Sequence, residues 1–156
     1  MRGVSRMRGQ WAARRAQGKV EIPGSVRIER GVRIEVAPGA RLQLGADAHL
    51  APHVRIFVRA GVVEIGAAVS IGERATITAL SSITIHERAR IGERCAVLDF
   101  TPGSADPEVP LRRQAVGAQA VEIGAGAVLG PTSVVGAGAR VAAGESVAGG
   151  AVIGER

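Results

Sequence analysis

Residues 121–156 read VEIGAGAVLGPTSVVGAGARVAAGESVAGGAVIGER, and one period runs through them. An aliphatic residue returns every six positions, at Ile123, Leu129, Val135, Val141, Val147 and Ile153. Glycine or alanine follows each of them: Gly124, Gly130, Gly136, Ala142, Ala148 and Gly154. Four residues after the aliphatic stands a small residue, at Ala127, Ser133, Ala139 and Ala151, with Glu145 as the exception.

A period of six fits neither a 3.6-residue helix nor a simple alternating strand. It fits a short strand followed by a tight turn. Three such units close a triangular coil of about 18 residues, and coils stack at the ordinary strand spacing of about 4.8 Å. The aliphatic points inward, the small residue fits a crowded interior, and each coil bonds only to its neighbours. The spacing itself leaves the hand of the coil open, since parallel crossovers are generally right-handed.

The same period runs upstream with slips. Ile22, Ile28 and Ile34 form one run; Val36 to Leu42, then Leu44, Leu50 and Ile56, continue it; Ile65, Ile71 and Ile77 resume it, and Ile85, Ile91 and Val97 follow. "IGER" recurs at 71–74, 91–94 and 153–156. Two-residue inserts at corners are the expected cause of the slips.

Composition agrees with a thin solenoid core. Glycine is 22 of 156 residues, and the aromatics are only Trp11, Phe57 and Phe100. A sandwich or an α/β sheet normally carries more aromatic bulk. The net charge of +6 is uneven. Residues 1–19 hold Arg2, Arg6, Arg8, Arg14, Arg15 and Lys19 and no acid, so the rest of the chain is balanced. The expected organisation is a basic arm over 1–19, capping the coil with a short helix, and a β-helix over 20–156 with an excursion loop at 98–120. A neutral body poor in aromatics argues against nucleic acid as a partner. The basic arm alone would give a membrane surface only weak contact. Cys95 is the single cysteine, so no internal disulfide forms. No run of 18 apolar residues exists to span a bilayer. The N-terminus lacks the apolar core of a signal peptide, and the expected location is cytoplasmic.

The loop carries a second signal. Residues 99–114 read DFTPGSADPEVPLRRQ. Asp99, Phe100, Asp106, Glu108, Pro110, Arg112 and Gln114 match the excursion loop of hexapeptide-repeat acyltransferases, and "VEIG" at 121–124 matches the family's re-entry into the coil. The chain therefore resembles the sugar and lipopolysaccharide O-acetyltransferase type of that family over roughly residues 20–156. The resemblance implies an all-β, left-handed parallel β-helix, a homotrimer, and transfer of an acetyl group from acetyl-CoA to a hydroxyl or amine of a sugar-like acceptor, without a metal. In the family, a loop histidine acts as general base, because imidazole titrates near operating pH. Here that position is Pro102, and the preceding acid is Thr101. Proline cannot move a proton.

Other residues are candidates for the vacant role. His86 follows the inward Ile85 about one coil before the loop, and its alternative is a corner residue facing water. Asp99, Asp106 and Glu108 are candidate bases or loop-stabilising carboxylates. Arg112 could orient an acidic acceptor or pair with Glu108. His49 and His53 read as surface residues, and with His86 they lack the spacing of a three-histidine zinc site such as that of γ-class carbonic anhydrases. Cys95 occupies a small inward position and reads as a buried hydrophobe. By the resemblance, the donor's pantetheine arm lies along the groove between subunits, against Gly130, Thr132, Ser133, Gly136, Ala137, Ala148 and Gly149. Arg140 and Arg156 are candidates for its phosphates. Two other readings stand beside the enzyme: an inactive scaffold that has lost its base, and a polymer-forming β-helix of the bactofilin kind. The loop motif favours acyltransferase descent over the polymer.

Overall fold

The computed structural model of the chain describes residues 17–101 and 117–154. The described residues form a three-sided parallel β-helix, and none of them is helical. Strands are numbered in chain order. The first face stacks β1 (Lys19–Glu21), β4 (Arg41–Leu44), β7 (Val62–Ile65), β10 (Ser82–Ile85), β15 (Val121–Ile123) and β18 (Arg140–Val141). The second stacks β2 (Arg27–Ile28), β5 (His49–Leu50), β8 (Ser70–Ile71), β11 (Arg90–Ile91), β16 (Val128–Leu129) and β19 (Ser146–Val147). The third stacks β3 (Arg33–Val36), β6 (Arg55–Val58), β9 (Thr76–Ala79), β12 (Ala96–Leu98), β17 (Val134–Val135) and β20 (Val152–Ile153). Lys19 thus already belongs to the β-helix, one residue before the boundary expected from sequence.

Register follows the hexad. Leu50, Ile71, Ile91, Leu129 and Val147 form one inward column, paired strand to strand. Ile56, Ile77, Val97, Val135 and Ile153 form another. These side chains are at most 8 % exposed, and the small positions Ala48, Ala75, Ala89, Cys95, Ala127 and Ala139 are buried between them. Each fully buried Leu or Ile contributes about 1.5–3 kcal/mol. The parallel ladders satisfy the backbone, one coil to the next.

The slips all fall at one corner, the third, where the chain passes from the third face to the first. Turns at the first and second corners keep the six-residue interval throughout. At the third corner, successive intervals between inward residues are ten (Ile34 to Leu44), nine (Ile56 to Ile65), eight (Ile77 to Ile85), 26 (Val97 to Ile123) and six (Val135 to Val141). The inserts are therefore four, three and two residues rather than uniformly two. The excursion is the largest insertion at that same corner. Its base is a short antiparallel pair, β13 (Phe100–Thr101) with β14 (Gly117–Ala118).

Longer coils add one more inward position on the third face: Val36, Val58, Ala79 and then Asp99. Asp99 is completely buried in this column.

Candidate functional site

Two surface grooves meet at the first corner. One, of about 490 Å³, is lined by His86, Glu122, Arg140, Ala142 and Glu145. The other, of about 370 Å³, is lined by Gln43, Glu64, Thr84, His86 and Glu87. His86 and Ala125 belong to both.

His86 is placed by the backbone. Its N–H donates to the Ile123 carbonyl at 2.9 Å, continuing the ladder of β10 with β15 around the corner. Beyond Pro23 of the first coil, the residues in this corner column are Gly45, Gly66, His86, Gly124 and Ala142. A Cβ at Gly66 would come within 2.6 Å of the Glu87 nitrogen, and one at Gly124 would meet the Ala143 nitrogen. Stacking therefore favours glycine here, and among these five His86 alone projects a titratable group. Glu122 comes from β15, whose register sets it beside Thr84. Its Oε1 lies 2.8 Å from His86 Nε2, with the side chains 45 % and 53 % exposed. Arg140 is the register partner of Glu122 on the next strand. An ionised carboxylate only accepts hydrogen bonds, so Nε2–H donates to Glu122, and the lone pair of neutral His86 sits on Nδ1. A carboxylate contact of this kind sets the tautomer of a neutral imidazole, which is one requirement of general-base chemistry.

Asp99 has a different setting. Its Oδ1 accepts from Leu80 N–H at 2.8 Å, and its Oδ2 accepts from Ser81 and Ser82 N–H at 2.7 Å each. Its own carbonyl accepts from Gln119 N–H at 2.8 Å, across the base of the excursion. Both carboxylate oxygens are engaged with backbone, away from solvent. Asp99 holds the third corner of the preceding coil rather than facing an acceptor. Asp106, Glu108, Arg112 and Arg156 lie outside the described residues, as does Pro102.

The expected donor residues divide among three places. Gly130, Thr132, Ala148 and Gly149 lie at the second corner of the last two coils, Gly136 and Ala137 at the third, and Arg140 on the first face. Gly130 has a packing reason, since a Cβ there would meet the Gly149 nitrogen. Ser133 is fully buried, and its hydroxyl donates to the Gly130 carbonyl at 2.8 Å, so it faces the core and not a groove. Cys95 is buried as expected, its Sγ 3.1 Å from the Gly130 carbonyl and 3.2 Å from Ser133 Oγ.

His49 and His53 are half-buried rather than open surface residues. His49 Nε2 is 3.2 Å from Glu29 Oε1 in the adjacent coil. His53 adopts φ 64° and lays its ring over Gly31, where a Cβ would clash with it. Among the described residues, no group of three or more His, Cys, Asp or Glu is placed to hold a metal. No helix among them is long and apolar enough to cross a membrane.

The residue that sequence reasoning missed is Glu122. Once the 20-residue excess of the excursion coil is set aside, Glu122 falls one coil beyond Thr84, beside His86. That offset was available, but the insertion hid it.

No protein-family model matches the chain, and no curated protein is similar to it in sequence. Solved structures are similar. A variant of AntD, an N-acyltransferase from Bacillus cereus, in complex with dTDP and coenzyme A, matches with a TM-score of 0.72 at 15 % identity, over 92 % of this chain and 76 % of that one. A second AntD variant with the same ligands gives 0.72 and 15 %, over 92 % and 77 %. A third, with dTDP-4-amino-4,6-dideoxyglucose and coenzyme A, gives 0.55 and 15 %, over 91 % and 81 %. At these identities the similarity establishes the fold, a left-handed parallel β-helix.

Proposed function

We propose that the chain is an acyl-CoA-dependent acyltransferase that moves an acetyl group from acetyl-CoA to an amine or hydroxyl of a sugar-like acceptor. The observation that carries the reading is the His86–Glu122 pair in an open groove. Its support is a fold shared with an N-acyltransferase whose structures hold coenzyme A and a sugar nucleotide.

In this reading His86 Nδ1 takes the proton from the acceptor nucleophile as that atom attacks the thioester carbonyl. The bond to sulfur breaks, and coenzyme A leaves as thiolate and is protonated. Glu122 holds the imidazole and stabilises the imidazolium. Arg140 lies beside the pair and suits an anionic part of donor or acceptor. His86 thus takes the role that Pro102 cannot fill, and Asp99 supports the excursion from below.

The donor positions and the base sit on different corners of one chain. A homotrimer, as the family resemblance implies, would let the last two coils of one subunit supply the donor positions to the base of its neighbour. Thr132, Ala148 and Gly149 would then line the pantetheine channel opposite His86. The reaction needs no metal and suits a cytoplasmic enzyme.

The test is calorimetric titration of the full chain with acetyl-CoA, followed by a thiol-release assay over amino sugars, sugar alcohols and sugar nucleotides. Binding with acceptor-dependent thiol release supports the enzyme. Absence of binding favours the scaffold.

A further inference from the structure

A second surface is chemically distinct from the grooves around His86. The second corner of the first four coils is a basic ridge. Arg30, Arg74 and Arg94 stand at its crest, Arg27 and Arg90 flank it on the second face, and Arg33 and Arg55 flank it on the third. All seven arginines are exposed. Three glutamates share the corner, and two of them are engaged: Glu29 with His49 at 3.2 Å, and Glu73 with Arg74 at 3.8 Å. The surplus is four positive charges on one edge.

Two details go against local stability. Arg33 and Arg55 are direct register partners on neighbouring strands, where like charges repel. Arg74 and Arg94 take φ 62° and 56° at the turn position that Gly31 and Gly150 fill in other coils, a left-handed conformation unfavourable for a residue with a Cβ, which Asp47, His53, Ala68, Arg88 and Thr132 also adopt. The turn strain is shared with other corners, but the like-charge pair of Arg33 and Arg55 is particular to this edge and fits a surface kept for another reason. In the fifth coil the ridge ends: Val128 takes the place of Arg90 and Thr132 that of Arg94.

We infer that this ridge adsorbs to an anionic lipid bilayer. The crest carries no Phe, Tyr or Trp on which nucleic-acid bases could stack, and the one imidazole there, His53, is half-buried with its ring over Gly31. The crest also has no apolar side chain to insert, so the contact is electrostatic. A line of long arginines on a rigid prism needs only a negative surface, and each is expected to strengthen adsorption roughly fivefold. Docking by this edge would hold the β-helix against the membrane while leaving the grooves at the first corner open.

The experiment is vesicle co-sedimentation of the full chain, with phosphatidylcholine vesicles and with vesicles also containing phosphatidylglycerol. Two double variants remove equal charge: Arg74→Gly with Arg94→Gly on the ridge, and Arg59→Ser with Arg88→Gly off it. Three of the four positions have left-handed φ in the chain, so glycine there relieves strain and folding is retained. The expected result is binding to the anionic vesicles only, weakened about thirtyfold by the ridge pair, changed little by the off-ridge pair, and abolished at about 1 M salt. Equal loss in both pairs, unchanged binding of the ridge pair, or equal binding to neutral vesicles would overturn the inference. So would displacement by a single-stranded oligonucleotide at lower phosphate concentration than the vesicles present.

Discussion

His86 and Glu122 lie 36 residues apart in the chain and 2.8 Å apart in space. The intervening excursion leaves the coil at its third corner and returns to it. Register then sets Thr84 against Glu122 as though nothing had been inserted. An imidazole and a carboxylate meet on the surface because the ladder ignores the loop.

Glu122 should therefore matter to catalysis less than His86 and through it. Glu122→Gln keeps the shape and still accepts through its amide oxygen, but it removes the charge that stabilises the imidazolium. Turnover should fall by about tenfold, against about 10²–10⁴-fold for loss of the base itself. The thiol-release assay reads both. If Glu122→Gln fell as far as His86→Ala, Glu122 would itself be the base.

Asp99 should behave as a structural residue. Asp99→Ala leaves three buried N–H groups without an acceptor, at about 1–3 kcal/mol each. Asp99→Asn places a donor against donors. Amide exchange at Leu80, Ser81 and Ser82 should accelerate strongly in both variants, with loss of stability in urea. Unchanged exchange at those three amides would contradict the anchoring role.

Two glycines at the third corner make a paired test. Gly39 has φ +82° with open space where a Cβ would go, whereas Gly61 has φ +76° and a Cβ there would collide with the Ser81 carbonyl. Gly39→Ala should cost about 1 kcal/mol, from the left-handed conformation alone. Gly61→Ala should cost roughly 3 kcal/mol or more, because the obstacle is backbone. Urea midpoints of the two variants give the comparison.

Cys95 is enclosed by Gly130 and Ser133. Its thiol should stay inert to a thiol reagent in the folded protein and react fully in denaturant. Fast modification of the native chain would show that the coils open near Cys95.

Much of this was legible in the sequence. The hexads from Ile123 to Ile153 specify strand, turn and inward face, because each inward residue must stack on its counterpart one coil away. Cys95 could be placed by counting alone. The slips were visible, but their gathering at one corner was not, since Val36, Leu42 and Leu44 fit more than one register until strands pair. Asp99 read as a possible base because its neighbours match a catalytic loop. Only the structure shows its carboxylate turned inward to Leu80, Ser81 and Ser82. Glu122 was passed over as part of a re-entry motif, because its partner lies across an insertion.

The most direct test of the account is the rate of acetyl-CoA-dependent thiol release by wild type and by His86→Asn, with an acceptor that the wild type uses. His86 is exposed, so the variant should fold as the wild type does and bind acetyl-CoA with similar affinity. The account predicts a fall in turnover of at least a hundredfold, about what a positioned base supplies. Turnover of His86→Asn within a few fold of wild type would contradict it.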